Sequence, residues 1–198
     1  MGFLSMRPAQ FIRSGHLVLR SPMATDYAQW ADLRERSQTF LRPWEPSWAP
    51  DELSRPAFRR RLRHWRREAA EDTGHAFFIL VDDDRTLAGG INLAHVRRGV
   101  TQSAQVGYWM GEGFAGRGLM TEALGALIPW CFGPLGLHRL EAACVPHNDR
   151  SRRVLLRTGF REEGHARQYL KIDGQWHDHI LFGMLASDPR PASPQPQF

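Results

Sequence analysis

Lysine is almost absent from this chain of 198 residues: Lys171 is the only one, and arginine supplies nearly all of the positive charge. Cysteine is also scarce. Cys131 and Cys144 lie within apolar patterns and far from any Cys-x-x-Cys spacing, so we expect two buried thiols and neither a disulfide nor a metal site. No apolar run approaches the roughly 20 residues of a membrane-spanning helix, and residues 1–11 lack the long apolar centre of a signal peptide. We therefore expect a cytoplasmic protein without membrane contact.

The composition predicts one globular domain, because 42% of the residues are hydrophobic and 24% are charged. We expect a flexible segment at residues 1–14, a folded domain at 15–186 and a disordered Pro- and Ser-rich tail at 187–198. The formal net charge of +5 favours anionic partners such as phosphate groups or RNA. A GC-rich genome, which favours arginine codons over lysine codons, would explain the same balance.

The residue patterns predict a protein of the α/β (α+β mixed) class, with helices on both faces of a mostly antiparallel sheet. About seven strands are expected, at 16–20, 77–81, 87–96, 101–110, 140–145, 161–172 and 175–185. Helices are expected at about 25–37, 58–70, 119–132 and 148–158. Asp173-Gly174 is a strong signal for a hairpin between the last two strands.

The stretch at 105–121 is the most informative, because an alternating strand leads into a loop with four glycines and then into an apolar helix. Gly116 and Gly118 let the chain turn and let an anion approach the backbone, and Arg117 adds a cation. The first amides of a helix lack intrahelical acceptors, so this arrangement predicts a diphosphate cradle. A plain tight turn is the alternative. No Gly-Lys-Ser/Thr follows, which disfavours a P-loop NTPase, and the loop lies too late in the chain for a dinucleotide Rossmann unit.

The run Gly-Arg-Gly-Leu-Met-Thr-Glu-Ala-Leu at 116–124 resembles the pyrophosphate loop and following helix of the GNAT acetyltransferases. The runs at 145–151 and 173–176 are similar to the RimJ/RimL branch, which acetylates N-termini of ribosomal proteins, and Leu-Arg-Pro-Trp-Glu-Pro at 41–46 resembles its RimJ members most. The resemblance implies a GNAT fold, acetyl-coenzyme A (acetyl-CoA) as cosubstrate, no metal, and an alanine-first protein N-terminus as acceptor. Ala115 and Met120 depart from the family's loop pattern. A ribosome surface is a further possible partner, and monomer and homodimer both stay open.

The resemblance also assigns the binding residues. Those expected to hold the coenzyme are Trp109, Met110, Gly116, Arg117, Gly118, Leu119, Met120, Thr121 and Asn148. For Asn148, a purely structural role as a helix N-cap is also open. Trp44 and Glu45, in a proline-rich loop, are expected to bind the acceptor. The alternative is that the tryptophans of this loop cap the core.

Acetyl transfer to an amine requires a base for the amine and a proton for the departing thiolate. Glu141 is predicted as the base, because it is the one charge in an otherwise apolar strand. An ion pair with Arg139 is the structural alternative, and Glu112 is the second candidate. Ser151 is predicted to hold the thiol or relay a proton, since Leu155 stands where many family members have a tyrosine. An ordinary helix serine is the alternative.

Six arginines surround the apolar stripe of the helix predicted at 58–70. They form either a solvated face or a patch that docks on ribosomal RNA. Two other functions stay open on the same fold. One is acetylation of a small amine such as an amino acid, polyamine or aminoglycoside, for which we expect a deep acidic groove. The other is a non-catalytic ribosome- or RNA-binding protein.

Overall fold

The computed structural model describes residues 11–82 and 84–190, and these form a single eight-stranded sheet in the order β1-β2-β3-β4-β5-β6-β8-β7. Neighbouring strands are antiparallel except β5 and β6, which are parallel. The strands are β1 (Phe11–Ser14), β2 (Leu17–Arg20), β3 (His75–Val81), β4 (Thr86–Arg97), β5 (Ser103–Met110), β6 (Arg139–Cys144), β7 (Arg161–Ile172) and β8 (Gln175–Leu185).

Helices cover both faces of this sheet, as predicted. The α-helices of the described residues are α1 (Tyr27–Arg36), α2 (Gln38–Leu41), α3 (Arg55–Ala70), α4 (Leu119–Phe132) and α5 (Asp149–Arg157), and short 3-10 turns lie at Ala24–Asp26, Arg42–Trp44 and Glu112–Phe114. Phe77 and Phe78 are adjacent in β3 and therefore point to opposite faces. Phe77 packs in the cluster that contains α4, and Phe78 packs in the cluster of α1 and α3.

Side-chain caps explain where two of the helices begin. Ser54 accepts a hydrogen bond from the N–H of Ala57 (3.2 Å) at the start of α3. Asn148 Oδ1 accepts one from the N–H of Ser151 (3.0 Å) at the start of α5, which confirms the predicted cap. The hairpin at Asp173-Gly174 is also confirmed, since β7 and β8 pair up to Ile172↔Gln175.

The sheet has one strand more than the sequence predicted, because β1 lies within the segment that we expected to be flexible. Ile12 is buried opposite Leu19 of β2, and Gly15 turns between the two strands with φ +55°. At the other end, Asp188 accepts the N–H of Leu185 (2.8 Å) and pairs with Arg161 (3.2 Å), so the turn at 186–190 belongs to the folded domain. The rest of the predicted flexible segment and tail, 1–10 and 191–198, lies outside the described residues.

Both cysteines are free and buried, as predicted. In the part of the chain that the structure describes, no helix is long and apolar enough to cross a membrane.

Candidate active site

A cavity of about 470 Å³ lies where β5 and β6 separate. The parallel pairing of these strands covers three residue pairs and ends at Gln105↔Glu141. Beyond that point β5 continues to Met110 against β4, and β6 continues to Cys144 against β8. The two edges that line the cavity therefore carry backbone N–H and C=O groups without a strand partner. An elongated ligand with amide groups can bind there as an added strand.

The glycine loop forms one wall of this cavity. Gly116 and Gly118 have φ values of +78° and +80°, and Gly118 is the N-cap of α4. A Cβ atom at either position would meet no atom within 4 Å, so glycine is needed for the backbone conformation and not for lack of room. Because the first amides of α4 have no intrahelical acceptor, they suit an anion. The predicted residues that line the cavity here are Trp109, Met110, Gly116, Gly118, Leu119, Met120 and Thr121.

Positive charge surrounds the same wall. Arg117 is exposed in the loop and lies outside the cavity lining. Arg150, Arg153 and Arg157 of α5 line the cavity, and their i, i+3, i+7 spacing places them along one side of the helix. These three residues were not among those predicted from the sequence, although basic side chains at helical spacing directly after the cap Asn148 indicate such a site.

Tyr108 and Ser151 bridge β5 and α5 inside the cavity lining. Their hydroxyl oxygens are 2.9 Å apart, and either can donate the hydrogen bond. Burial raises the pKa of Tyr108 well above its ordinary value, against the opposing effect of its hydrogen bond to Ser151, so the phenol stays protonated. Asn148 also lines the cavity while it caps α5, so its role as a cap is compatible with the predicted contact to the coenzyme. Tyr108 was not among the predicted site residues.

Trp44 and Glu45, which were predicted to bind the acceptor, line the cavity on the side of α1. The Glu45 carboxylate makes a bidentate ion pair with Arg34 of α1, at 3.2 and 2.6 Å, and also accepts from Trp48 Nε1 at 2.8 Å. The Arg34 guanidinium lies 5.0 Å from the centre of the Trp109 ring, in the cavity wall. Glu45 is therefore held in one position beside the cavity, with its charge paired with that of Arg34.

β8 contributes a titratable group that was not among the residues predicted from the sequence. The side chain of His179 is 3% exposed and lines the cavity. Its Nδ1 lies 3.0 Å from the carbonyl oxygen of His177. A carbonyl only accepts, so Nδ1 carries the proton and Nε2 keeps a lone pair, for which no described residue supplies a hydrogen bond. Burial lowers the pKa of His179, so the ring is neutral at pH 7.

Glu141 does not line the cavity. It pairs with Arg139 (Nε–Oε1 3.0 Å), and Arg139 also binds Glu163 of β7. The hydrogen bond from Arg139 lowers the pKa of Glu163, as expected for a surface ion-pair network. The second candidate, Glu112, is exposed and also absent from the lining. The placement of Glu141 agrees with the structural alternative rather than with its predicted role as base.

Among the described residues no three His, Cys, Asp or Glu side chains are grouped as a metal site would need.

A family model described as an acetyltransferase (GNAT) domain matches residues 16–161. The chain belongs to the GNAT acetyltransferases. It is therefore an N-acetyltransferase with the mixed α/β fold that the sequence predicted, and the family takes its acetyl group from acetyl-CoA.

Relatives place this GNAT chain in the RimJ/RimL branch. It is 33% identical over 187 residues to the [ribosomal protein uS5]-alanine N-acetyltransferase of Escherichia coli, with 94% of this chain and 96% of the relative covered. The structure matches that of a ribosomal-protein-S5-alanine acetyltransferase from Vibrio fischeri with a TM-score of 0.84 at 28% identity, covering 92% of this chain and all of the other. It matches RimJ from Mycobacterium smegmatis in complex with CoA-disulfide with a TM-score of 0.83 at 33% identity, covering 90% of this chain and 87% of the other.

Proposed function

We propose that this GNAT enzyme acetylates the N-terminal α-amine of a ribosomal protein that begins with alanine. The observation that carries the proposal is the similarity to the E. coli uS5-alanine acetyltransferase, which extends over nearly the whole of both chains. It includes the stretch with Trp44 and Glu45, which line the cavity on the side of α1. No feature of the cavity specifically favours a small amine.

The chain's own groups suit the coenzyme. Acetyl-CoA supplies a thioester at the end of an amide-containing arm that is attached to a diphosphate. We propose that the N–H groups of residues 116–121 hold the diphosphate, with Arg117 at its side. Arg153 and its neighbours on α5 neutralise the remaining phosphate, and the free edges of β5 and β6 bind the amides of the arm.

The amine must lose a proton, and the demand on the base is modest. An α-amino group has a pKa of about 7.7–8.0, so roughly 10–17% of it is neutral at pH 7, compared with less than 0.1% of a lysine side chain. We propose that this neutral fraction attacks the thioester and that His179 takes the proton released by the attacking nitrogen, directly or through one water, since His179 lines the cavity and its Nε2 carries a lone pair. The Glu45 carboxylate, paired with Arg34, lies on the acceptor side of the same cavity.

The departing thiolate needs a hydrogen-bond donor. We propose that Ser151 donates to the sulfur, as the sequence predicted, and that Tyr108 holds the Ser151 hydroxyl in place through the 2.9 Å hydrogen bond. With its raised pKa, Tyr108 is suited to donate a hydrogen bond rather than to give up its proton. The thiolate takes its proton from water through the Ser151 hydroxyl, while Tyr108 stays protonated.

A peptide array with every first residue, read by mass spectrometry, tests the proposed acceptor. Alanine-first peptides should be acetylated at the α-amine, and the same peptides with a blocked N-terminus and an internal lysine should not react. A parallel panel of amino acids, polyamines and aminoglycosides is the comparison. Turnover on that panel with inert peptides would replace the proposal by a small-amine acetyltransferase.

A further inference from the structure

The exposed face of α3 carries positive charge that the chain itself does not neutralise. Arg60 pairs with Asp51, and Arg61 pairs with Glu52. In contrast, five exposed arginines of this helix form no ion pair with a described carboxylate. One of them, Arg67, lies 3.3 Å from His64 Nδ1, and the Arg55 guanidinium lies 4.4 Å from the centre of the Tyr27 ring. Four of the five, which we call the arginine row, are Arg55, Arg59, Arg63 and Arg66.

The arginine row lies along one side of the helix. Its members are spaced i, i+4, i+8 and i+11, which spans about 80° around the helix axis and about 16 Å along it. The row flanks the apolar stripe that anchors α3 to the sheet, where Phe58 and Leu62 are buried and the ring of Trp65 packs edge-on against Phe78 at 5.9 Å. The row is therefore a straight line of cations on a rigid support.

This arrangement is unfavourable for an isolated helix. Like charges at i, i+4 repel, and cations near a helix N-terminus oppose the helix dipole. A merely solvated face usually alternates the signs of its charges, whereas Glu68 is the single carboxylate of α3 and faces His64 at 3.3 Å. A polyanion bound along the row would remove this repulsion.

We propose that the arginine row binds the sugar-phosphate backbone of RNA next to the acceptor protein. This inference rests on the proposed function, since a ribosomal protein is presented on RNA. A line of guanidinium groups matches a linear polyanion, and each guanidinium can bind a phosphate in a bidentate manner. A membrane surface fits less well, because the aromatic side chains of α3 face the sheet. The row is on the same side of the sheet as α1, whose Arg34 holds Glu45 beside the cavity.

The test compares Arg59→Glu/Arg63→Glu/Arg66→Glu with a control of equal charge change, Arg36→Glu/Arg85→Glu/Arg97→Glu, at exposed positions elsewhere. The probe is a fluorescent RNA duplex of about 20 base pairs, titrated at about 50–250 mM potassium chloride. For the row variant we expect RNA binding to be weaker by at least about tenfold. The slope of log K against the logarithm of the salt concentration should be smaller in magnitude by about 2 to 3, because three phosphate contacts are lost. The control should bind as the wild type does.

Acetylation assays separate this inference from the proposed function. Both variants should acetylate a free alanine-first peptide within about twofold of wild type, and only the row variant should lose activity on ribosomal subunits. Equal RNA affinities for the row variant and the control would overturn the inference, as would stronger binding of the row to anionic vesicles or to polyglutamate than to RNA. If no peptide is acetylated, the proposed function fails while the RNA titration still decides the role of the row. The Gln versions of the row substitutions repeat the test if the Glu variant does not fold.

Discussion

Replacing His179 by asparagine tests the proposed base. The asparagine amide can still donate to the carbonyl oxygen of His177, as Nδ1 does at 3.0 Å in the structure, while the lone pair of Nε2 is lost. General base catalysis contributes roughly 10²–10⁴ in rate. Since roughly 10–17% of an α-amine is already neutral at pH 7, we expect the lower end, a loss of about 100-fold in kcat/KM.

The pH dependence gives the sharper readout. Below about pH 7.7 the protonation of the free α-amine lowers log kcat/KM with a slope of 1. Burial lowers the pKa of His179 below its ordinary value of about 6.5, so the wild-type slope should steepen to 2 only below that pH. For His179→Asn the slope should remain 1 over the whole acidic range, measured with an alanine-first peptide by mass spectrometry.

His177→Gln is the matched control for this experiment, because it changes the neighbouring side chain and keeps the backbone carbonyl that orients His179. It should retain the break in the profile and nearly all of the activity. A loss of less than about threefold for His179→Asn, or a second slope that persists in that variant, would refute the role of His179 as base.

Four further predictions concern residues in and around the cavity. Ser151→Ala should lower kcat about tenfold or more with little change in the KM for peptide, measured by steady-state kinetics. Gly118→Ala places a side chain at φ +80°, which costs about 1–2 kcal/mol, so a thermal melt should show a Tm lower by about 2–8 °C, while Gly113→Ala should not. Glu141→Gln should leave kcat and its pH profile within twofold of wild type, since Glu141 is outside the cavity; a flattened acidic limb would restore it as the base. Arg153→Gln should raise the KM for acetyl-CoA severalfold but not for the analogue without the 3′-phosphate; equal effects would place Arg153 elsewhere.

Local determinants explain which parts of the site were predictable. The loop with Gly116 and Gly118 requires left-handed backbone that glycine adopts freely, and the cap at Asn148 is completed within three residues. The hairpin at 173–174 is equally local, with positive φ at both positions. Features of this kind depend on a few consecutive residues, so the amino-acid sequence alone is sufficient to locate them.

The features that could not be predicted from the sequence are those whose environment is set by distant strands. A lone carboxylate in an apolar strand indicates either a catalytic group or an ion pair, and for Glu141 the deciding neighbours are Arg139 and, through it, Glu163 of β7. Strand alternation shows that Tyr108 and Trp109 face opposite sides, but not that α5 meets the first and α1 the second. That assignment depends on the parallel pairing of β5 with β6, which no local pattern indicates.

Glu45 and His179 line the same cavity, but their different surroundings give the two side chains different roles. The Glu45 carboxylate is bound by Arg34 and Trp48 through both of its oxygens, so these hydrogen bonds hold it in one orientation. The imidazole of His179 is kept neutral by burial and oriented by a backbone carbonyl, so it offers a lone pair. The neutral fraction of an incoming α-amine attacks the thioester, and His179 takes the proton that the attacking nitrogen then releases. A carboxylate base is therefore not required for the reaction that this cavity supports.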